Sequence, residues 1–369
     1  MIDAIIVPTA RSARHLGAAI GYAKELDCTL LVLCSQDTSI TDVEWLAKVA
    51  GIELVAIDTS QLPSGLLPAF ETTEFGLVDP RDTATKRNVA LLFAQLAGWQ
   101  RIVFLDDDIS VEDPQLLSRA AAALDSHEAI GLQVVDFPDN SVVCHAGRRL
   151  GWPQQTFIGA GALAVHVPSS TRSFFPQVYN EDWFFLLGDN GLRRAAILGE
   201  AKQTKYDPFA DPRRAGFEEF GDALAEGIFW ALDNGGDIAD ASVEHWRMFL
   251  ASRREFIDGL LARLEEVALD EPQRGQIRAA LRAALERNAT IDPQFCVDYV
   301  KAWRNDRDQW YSHVNARQSQ YLISAVRASP ASTAEKVLAE LGLVTHARYV
   351  AKSVVTAADQ PPQENVALL

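Results

Sequence analysis

Apolar runs alternate with amphipathic stretches over the first hundred residues. The apolar runs cover residues 4–7, 29–34, 52–57 and 101–105. Between them, apolar residues at helical spacing predict helices over 16–26 and 41–50, and a third helix capped by Asp82 or Thr83. Uninterrupted apolar strands joined by helices predict a parallel sheet, which binds ligands beyond the carboxyl ends of its strands. The residues expected at that rim after the first two strands are Thr9, Ala10, Arg11 and Ser35.

Three carboxylates, Asp106, Asp107 and Asp108, follow the apolar run at 101–105. Adjacent carboxylates repel one another, and a bound cation or hydrogen bonds offset that cost. A hard divalent ion held by one or two carboxylates and by substrate phosphates suits such a short motif. Side chains alternate along an extended strand, so we expect Asp106 and Asp108 to share one face and Asp107 to point away. Alternatively, the acids cap a helix that begins near Pro114.

Two further segments predict contacts with a ligand. Lys86 and Arg87 lie near the start of the third helix, where cations oppose the helix dipole unless an anion binds there. A solvated helix face is the alternative. Gly159, Ala160 and Gly161 interrupt an apolar strand predicted over 153–167, and glycines inside a strand mark either a bulge or the close approach of a ligand.

An acidic pair, Glu181 and Asp182, precedes an aromatic helix for which Asn180 is the predicted N-cap. Carboxylates of this kind can take the proton of an attacking hydroxyl group. Acids in a first helical turn also favour the helix dipole, which gives a purely structural alternative. Upstream of this pair, residues 130–136 and 141–145 are predicted to form two strands joined by a hairpin turn at FPDN.

The succession TKRNVALLFAQLAGWQRIVFLDDDI resembles glycosyltransferases of the GT-A fold, in which an Arg-Asn pair opens a helix and a hydrophobic strand then ends in Asp-x-Asp. The resemblance implies that Asp106 faces the nucleotide ribose and that Asp108 ligates Mn²⁺ or Mg²⁺ at the donor diphosphate. Family-2-type members also have a similar Gly-rich segment and a similar Glu-Asp pair. That similarity implies Asp182 as the catalytic base and Glu181 as a contact to sugar hydroxyls. It further implies His245 as a third metal ligand, although a single His can equally be structural.

The residues assigned to nucleotide-sugar binding on this basis come from the strand ends, the third helix, the acidic triplet and the Gly-rich segment. They are Pro8, Thr9, Arg11, Ser35, Lys86, Arg87, Asp106, Asp107, Gly159, Ala160 and Gly161. The chain departs from the family-2 pattern at Ser35 and Gln36, where an acid usually reads the base or ribose. The nucleotide base therefore stays open. Retaining enzymes such as sugar-phosphoglycerate synthases share the Asp-x-Asp motif, so the stereochemical outcome stays open as well.

Composition narrows the class of partner. The formal net charge of -16 over 369 residues argues against a nucleic-acid or anionic-membrane surface, because both require basic patches. No apolar run reaches the 18 residues of a membrane span. The cysteines show neither zinc-site spacing nor a disulfide framework, which is typical of a protein from a reducing cytoplasm. They are Cys28, Cys34, Cys144 and Cys296.

The length predicts two domains. We expect an α/β domain of the GT-A type, Rossmann-like with a mainly parallel sheet, over 1–200, a mostly helical domain over 201–355, and a flexible tail over 356–369. The helical domain would shape an acceptor pocket or an oligomer interface. The expected activity is metal-dependent transfer of a sugar from a nucleotide-diphosphate donor to a hydroxyl group of a soluble acceptor.

Two alternatives to that activity remain at this point. One is a non-catalytic nucleotide-sugar-binding protein of the same fold. The other is a sugar-1-phosphate nucleotidylyltransferase, which the segment PTARSARHLG disfavours because it lacks a Gly-rich phosphate loop with its lysine.

Overall fold

A mixed sheet of nine strands organises the described part of the chain. The computed structural model describes residues 1–76, 81–135, 141–153, 158–325 and 332–352. In chain order the strands are β1 (Ala4–Thr9), β2 (Thr29–Cys34), β3 (Leu54–Asp58), β4 (Arg101–Leu105), β5 (Ile109–Ser110), β6 (Ala129–Val135), β7 (Ala162–His166), β8 (Ala195–Gln203) and β9 (Ala347–Val350). Their order across the sheet is β5-β8-β6-β7-β4-β1-β2-β3-β9.

The first four strands form the parallel part of the sheet. Strand β1 pairs in parallel with β2 and β4, and β2 pairs in parallel with β3. In this register Ala4 lies opposite both Thr29 and Ile102. Every residue of β1 and β2 is buried, which explains why both strands are apolar without alternation. The predicted parallel sheet is confirmed, and the carboxyl ends of β1, β2 and β4 lie at the same edge.

Antiparallel strands extend this core on both sides. Strand β7 runs antiparallel to β4 and to β6, and β8 pairs in parallel with β6. The two-residue strand β5 pairs antiparallel with β8 directly after the acidic triplet. On the opposite edge, β9 pairs antiparallel with β3. The sheet therefore combines a parallel centre with antiparallel additions that come from later parts of the chain.

Helices cover the sheet and form most of the second half. In chain order they are α1 (Gly17–Leu26), α2 (Ile40–Ala50), α3 (Thr83–Ala97), α4 (Gln115–Ala123), α5 (Val142–Arg149), α6 (Glu181–Phe185), α7 (Arg213–Asp233), α8 (Val243–Leu264), α9 (Glu271–Asn288), α10 (Pro293–Ala325) and α11 (Thr333–Glu340). Within the described ranges, no helix combines the length and the apolar character that crossing a membrane requires.

The strand predicted over residues 141–145 is wrong, because this segment begins helix α5. The hydroxyl of Ser141 accepts a hydrogen bond from the Cys144 N–H at 3.3 Å and so caps the helix. Val142 and Val143 are buried in a hydrophobic cluster with Ile277 and other residues of the C-terminal helices. Packing against those helices outweighs the β-propensity of the two valines. The predicted FPDN turn lies outside the described residues.

Hydrogen bonds and a strand pairing connect the helical region to the first part of the chain. Asp306 on α10 accepts hydrogen bonds from the backbone N–H groups of Glu71 and Thr72, at 2.6 and 2.9 Å. Strand β9, close to the end of the described chain, pairs with β3. The division at residue 200 stays a prediction, since the later chain contributes both a strand and a cap to the earlier part. The predicted tail over 356–369 lies outside the described residues.

Candidate active site

The acidic triplet forms a tight turn at the carboxyl end of β4. Strand β4 ends at Leu105, and the Ile109 N–H donates to the Asp106 carbonyl oxygen at 3.0 Å. The expected alternation is therefore wrong, because side chains alternate between faces only along an extended backbone. Asp107 does not point away: it accepts hydrogen bonds from the Thr9 hydroxyl at 2.5 Å and from Arg11 Nε at 3.1 Å.

Arg11 joins two of the three carboxylates. Its guanidinium forms an ion pair with Asp107, and its Nη2 lies 3.2 Å from Oδ2 of Asp108. The hydrogen bond to Asp107 raises the pKa of Arg11. The Arg11 side chain is 43% exposed. A partly exposed cation thus lies against the turn and pairs with two of its carboxylates.

Arg87 connects the acidic turn with the Glu-Asp pair. It lies on α3 and is only 3% exposed. Its Nη2 donates to Oδ1 of Asp106 at 2.9 Å, and its Nη1 donates to Oε1 of Glu181 at 2.5 Å. Burial raises the pKa of Asp106 to about 6, against the opposing effect of Arg87. One buried cation therefore fixes two carboxylates that come from segments far apart in sequence.

The Gly-rich segment contacts the same carboxylates. The Ala160 N–H donates to Oδ2 of Asp182 at 2.8 Å, and the Gly161 carbonyl oxygen accepts from the Asp106 N–H at 2.9 Å. A Cβ atom on Gly159 would lie 3.4 Å from Asp182 Oδ2, and one on Gly161 would lie 3.3 Å from Asp106 Oδ2. The segment directly precedes β7 and does not interrupt it. Its backbone thereby borders both Asp106 and Asp182.

Among the described residues, the hydrogen bonds to the Asp182 carboxylate come from backbone N–H groups. Besides the Ala160 N–H, it accepts from the Trp183 N–H at 2.9 Å. Neither contact involves a cation, in contrast to the pairing of Glu181 with Arg87. Asn180 occupies the N-cap position of α6 in a left-handed conformation, but its side chain makes no capping hydrogen bond. Its amide instead donates to Asp222 at 2.7 Å, so the predicted N-cap position is confirmed, without a capping hydrogen bond from the side chain.

Lys86 lies at the rim but is fully engaged by the protein. It is 2% exposed, and its Nζ lies 2.8 Å from the Thr9 carbonyl oxygen, 2.7 Å from Ser35 Oγ and 2.7 Å from Asp82 Oδ1. These contacts use all three donors of an ammonium group. Lys86 thus joins the ends of β1 and β2 to α3. Its assignment to nucleotide-sugar binding stays a prediction, as does that of Pro8, which is buried within β1.

His245 lies in the helical region, on α8. Its Nε2 lies 2.8 Å from the Gly227 carbonyl oxygen, and its ring packs against Trp230 and Trp246. Among the described residues, no group of three potential metal ligands with atoms within 4.8 Å of one another contains both His245 and Asp108. The structure therefore gives His245 a helix-packing environment, and its metal role stays a prediction.

A cavity of about 1060 Å³ opens beside this network. Arg87, Asp106, Glu181 and Asp182 line one part of it, together with Gly159 and Gly161. Helices α7 and α8 line another part, through residues that include Asp222, Glu226, Trp230, Phe249 and Arg253. Its volume is at the upper end of the range for small-ligand sites, so it has room for two reactants. The acidic turn and the Gly-rich segment thus share one cavity with the helical region.

The sequence analysis did not predict that carboxylates of α7 and Arg253 of α8 would lie at the site. Arg253 is 4% exposed and donates to Glu219 at 2.7 Å, to Asp222 at 2.9 Å and to Glu226. Burial raises the pKa of Glu226 to about 7, although the charge of Arg253 opposes the shift. Residues 218, 222 and 226 recur at four-residue spacing, so an acidic stripe along one face of α7 was a readable signal.

Comparisons with known proteins give only distant likenesses. No protein-family model matches the chain, and no curated protein matches its sequence. The chain is similar to the mannosyltransferase PcManGT from Pyrobaculum calidifontis at 16% identity, covering 78% of this chain and 86% of that one, with a TM-score of 0.43. It is similar to glucosyl-3-phosphoglycerate synthase from Mycobacterium tuberculosis at 16% identity, covering 62% and 76%, with a TM-score of 0.37. Likenesses this distant do not establish the function of this chain.

Proposed function

We propose that this protein is a metal-dependent glycosyltransferase of the GT-A type, which transfers a sugar from a nucleotide-diphosphate donor to a hydroxyl group of an acceptor. The observation that carries the proposal is the bridge made by Arg87 between Asp106 and Glu181, beside Asp182, at a single cavity. The bridge lies at the carboxyl ends of parallel strands, where α/β proteins bind their ligands. It brings together candidate donor-binding and acid–base groups that are separated by 75 positions in the sequence.

The acidic turn fits a divalent cation. Its three carboxylates supply the hard oxygen ligands that Mg²⁺ and Mn²⁺ accept, and such ions keep positions for phosphate oxygens. Two of these carboxylates already attract the guanidinium of Arg11. We assign Asp108 as a ligand, as the resemblance of the Asp-x-Asp segment implies; its carboxylate contacts Arg11 more loosely, at 3.2 Å, than that of Asp107 does. When bound, the cation would stabilise the negative charge of the departing diphosphate.

The chain's own residues supply the other parts of the reaction. Thr9, Arg11 and Ser35 lie at the rim next to the turn, and Arg11 can pair with a donor phosphate. Glu181, fixed by Arg87, accepts hydrogen bonds from donor-sugar hydroxyls. Asp182 accepts the proton of the acceptor hydroxyl while that oxygen forms its bond to C1 of the sugar and the C1–diphosphate bond breaks. Two backbone N–H groups orient the Asp182 carboxylate for this step.

The cavity also supports a role for the helical region in acceptor binding, because α7 and α8 contribute a large share of the lining. A non-catalytic nucleotide-sugar-binding protein is the second candidate, and it differs in one measurable respect. It would bind a donor nucleotide in the presence of metal but would show neither transfer nor donor hydrolysis.

Calorimetric titration tests the proposal. The full-length protein is titrated with UDP, GDP, dTDP and ADP, first with Mn²⁺ and then with EDTA. Tight binding of one nucleotide that depends on the metal supports the proposal and identifies the donor series, and the matching nucleotide sugar is then assayed for hydrolysis. Failure of all four nucleotides to bind in Mn²⁺ would contradict the proposed donor-binding site. Binding without turnover by the wild-type protein would favour the non-catalytic candidate.

A further inference from the structure

The part of the cavity formed by helices α7 and α8 is fixed next to the candidate base. Helix α7 approaches the segment before α6 so closely that a Cβ atom on Gly221 would lie 2.3 Å from the Tyr179 carbonyl oxygen. Beside that contact, the Asn180 amide donates to Asp222 at 2.7 Å. A molecule bound against Asp222 and Glu226 therefore lies in the same cavity as Asp182, with its distance from that carboxylate set by rigid packing.

This cavity carries an excess of acidic groups. The described residues that line it include six carboxylates and four guanidinium groups. The two most deeply buried guanidiniums are already committed, Arg87 to Asp106 and Glu181, and Arg253 to carboxylates of α7. The cluster around Arg87 and the cluster around Arg253 each contain more carboxylates than guanidinium groups. An anionic ligand would be repelled by both clusters, whereas a neutral donor of hydrogen bonds would be attracted.

Aromatic rings line the cavity beside these carboxylates. The lining includes Trp152, Trp183, Phe229, Trp230, Phe249 and Phe256. Trp183 and Phe229 meet edge-on with ring centroids 4.9 Å apart, and Trp230 remains 36% exposed in the described structure. Aromatic walls with a few placed polar groups are typical of sites that bind a ligand having both an apolar face and polar edges.

From these features we infer that the acceptor is a neutral carbohydrate, a sugar or glycoside that bears no phosphate or carboxylate group. The inference rests on the glycosyltransferase function proposed above. The hydroxyl groups of the acceptor donate hydrogen bonds to Asp222 and Glu226, and the apolar C–H face of its ring packs on Trp230 and its neighbours. This arrangement leaves one further hydroxyl group to approach Asp182. Sugar phosphates, sugar acids and phosphorylated hydroxy acids are poor acceptors because the cavity's buried cations are already neutralised.

Matched pairs of ligands test this inference directly. The full-length protein, saturated with Mn²⁺ and with the nucleoside diphosphate that it binds, is titrated with neutral methyl hexosides and disaccharides. The 6-phosphates and uronic acids of the same hexoses, together with phosphoglycerate, form the charged set. We expect at least one neutral saccharide to bind, and its charged counterpart to bind at least about tenfold more weakly. Equal or tighter binding of the charged partner overturns the inference.

Single-residue variants test whether the saccharide binds in the part of the cavity that α7 and α8 form. Trp230→Ala and Glu226→Gln should each weaken saccharide binding by about tenfold while leaving the affinity for the nucleotide unchanged. Trp45→Ala is the matched control, because Trp45 is an exposed tryptophan on α2 and does not line the cavity. Normal saccharide binding by both cavity variants would place the acceptor elsewhere. A protein that binds nucleotide but no saccharide refutes the acceptor class alone, whereas a protein that binds no nucleotide refutes the glycosyltransferase proposal.

Discussion

Nη2 of Arg87 lies 2.9 Å from Oδ1 of Asp106, so an ion pair with a buried guanidinium joins helix α3, near its start, to the carboxyl end of strand β4. The same guanidinium holds Glu181. Removing one partner of a buried pair leaves the other charge unpaired, which is more costly than the pair is stabilising. This relationship gives Arg87 a structural role at the edge of the cavity.

Replacement of Arg87 should therefore affect stability and function together. Arg87→Ala is expected to lower the free energy of unfolding by about 3 kcal/mol, because Asp106 and Glu181 lose their cation. Chemical denaturation measures this loss. Arg119→Ala is the control, since Arg119 pairs with Asp113 at the surface and should cost less than about 1 kcal/mol. Equal costs for the two variants would show that the buried bridge contributes no special stability.

The metal assignment predicts a selective defect for Asp108. Asp108→Ala should weaken nucleotide binding in Mn²⁺ by more than about tenfold, because a ligand to the cation is lost. Binding in EDTA should be the same for the variant and the wild type. Asp113→Ala, at an exposed position five residues later, serves as the control. Unchanged Mn²⁺-dependent binding by Asp108→Ala would remove Asp108 from the metal site.

The base assignment predicts a defect in transfer alone for Asp182. Asp182→Asn keeps the size of the side chain but cannot take up a proton from the acceptor. We expect transfer to fall about 100- to 10,000-fold while donor binding stays intact. Steady-state kinetics and calorimetry separate the two effects. Asp258→Asn, at an exposed position on α8, should behave as the wild type does. Near-normal turnover by Asp182→Asn would exclude it as the base.

The raised pKa of Glu226 predicts a dependence of stability on pH. Burial raises its pKa to about 7 in the folded protein, above the ordinary value of 4.5, so the folded state binds this proton more tightly. Its contribution is then fully present below about pH 4.5 and is lost as the pH rises towards 7. Relative to the wild type, Glu226→Gln should gain about 1 to 3 kcal/mol in unfolding free energy between pH 4.5 and pH 7.5. A pH-independent difference between the two proteins in denaturant titrations would contradict the shift.

Close packing at Gly221 predicts a steric defect. Gly221→Ala places a methyl group 2.3 Å from the Tyr179 carbonyl oxygen, so the backbone has to move and the variant should lose about 2 kcal/mol of stability. Gly275→Ala is the matched control in helix α9, because among the described residues no atom outside the local helix backbone lies within 4 Å of the new methyl group. It should gain about 0.5 to 1 kcal/mol from improved helix propensity. Thermal denaturation compares the two, and a stable Gly221→Ala protein would argue against tight packing there.

Sequence patterns were sufficient for the parallel centre of the sheet. Strands buried on both faces must be apolar throughout, so the apolar run at 29–34 predicts β2 with the bounds that the structure gives. The same topology predicts Thr9, Ser35 and Asp106 at one edge of the sheet. These inferences succeed because they depend on local burial and chain direction, which the order of residues records directly.

Predictions from the sequence were wrong where the direction of a side chain depends on residues far away in the chain. Asp107 faces Arg11 because the chain turns after Leu105, and alternation along a strand does not extend into a turn. Val142 and Val143 belong to a helix because later helices bury them. Lys86 is engaged by three oxygens from two strand ends and its own helix.

By itself, the sequence determined the parallel centre of the sheet, the edge at which its strands end and the acidic character of the turn after β4. Only the tertiary structure decided that Arg87 joins Asp106 to Glu181, and that Arg253 gathers the α7 carboxylates at the same cavity. Both ion-pair clusters connect residues that are far apart in sequence, 94 positions for Arg87 and Glu181. Their geometry follows from how whole helices and strands pack, and hydrophobic periodicity gives the buried face of an element without naming the element that will cover it.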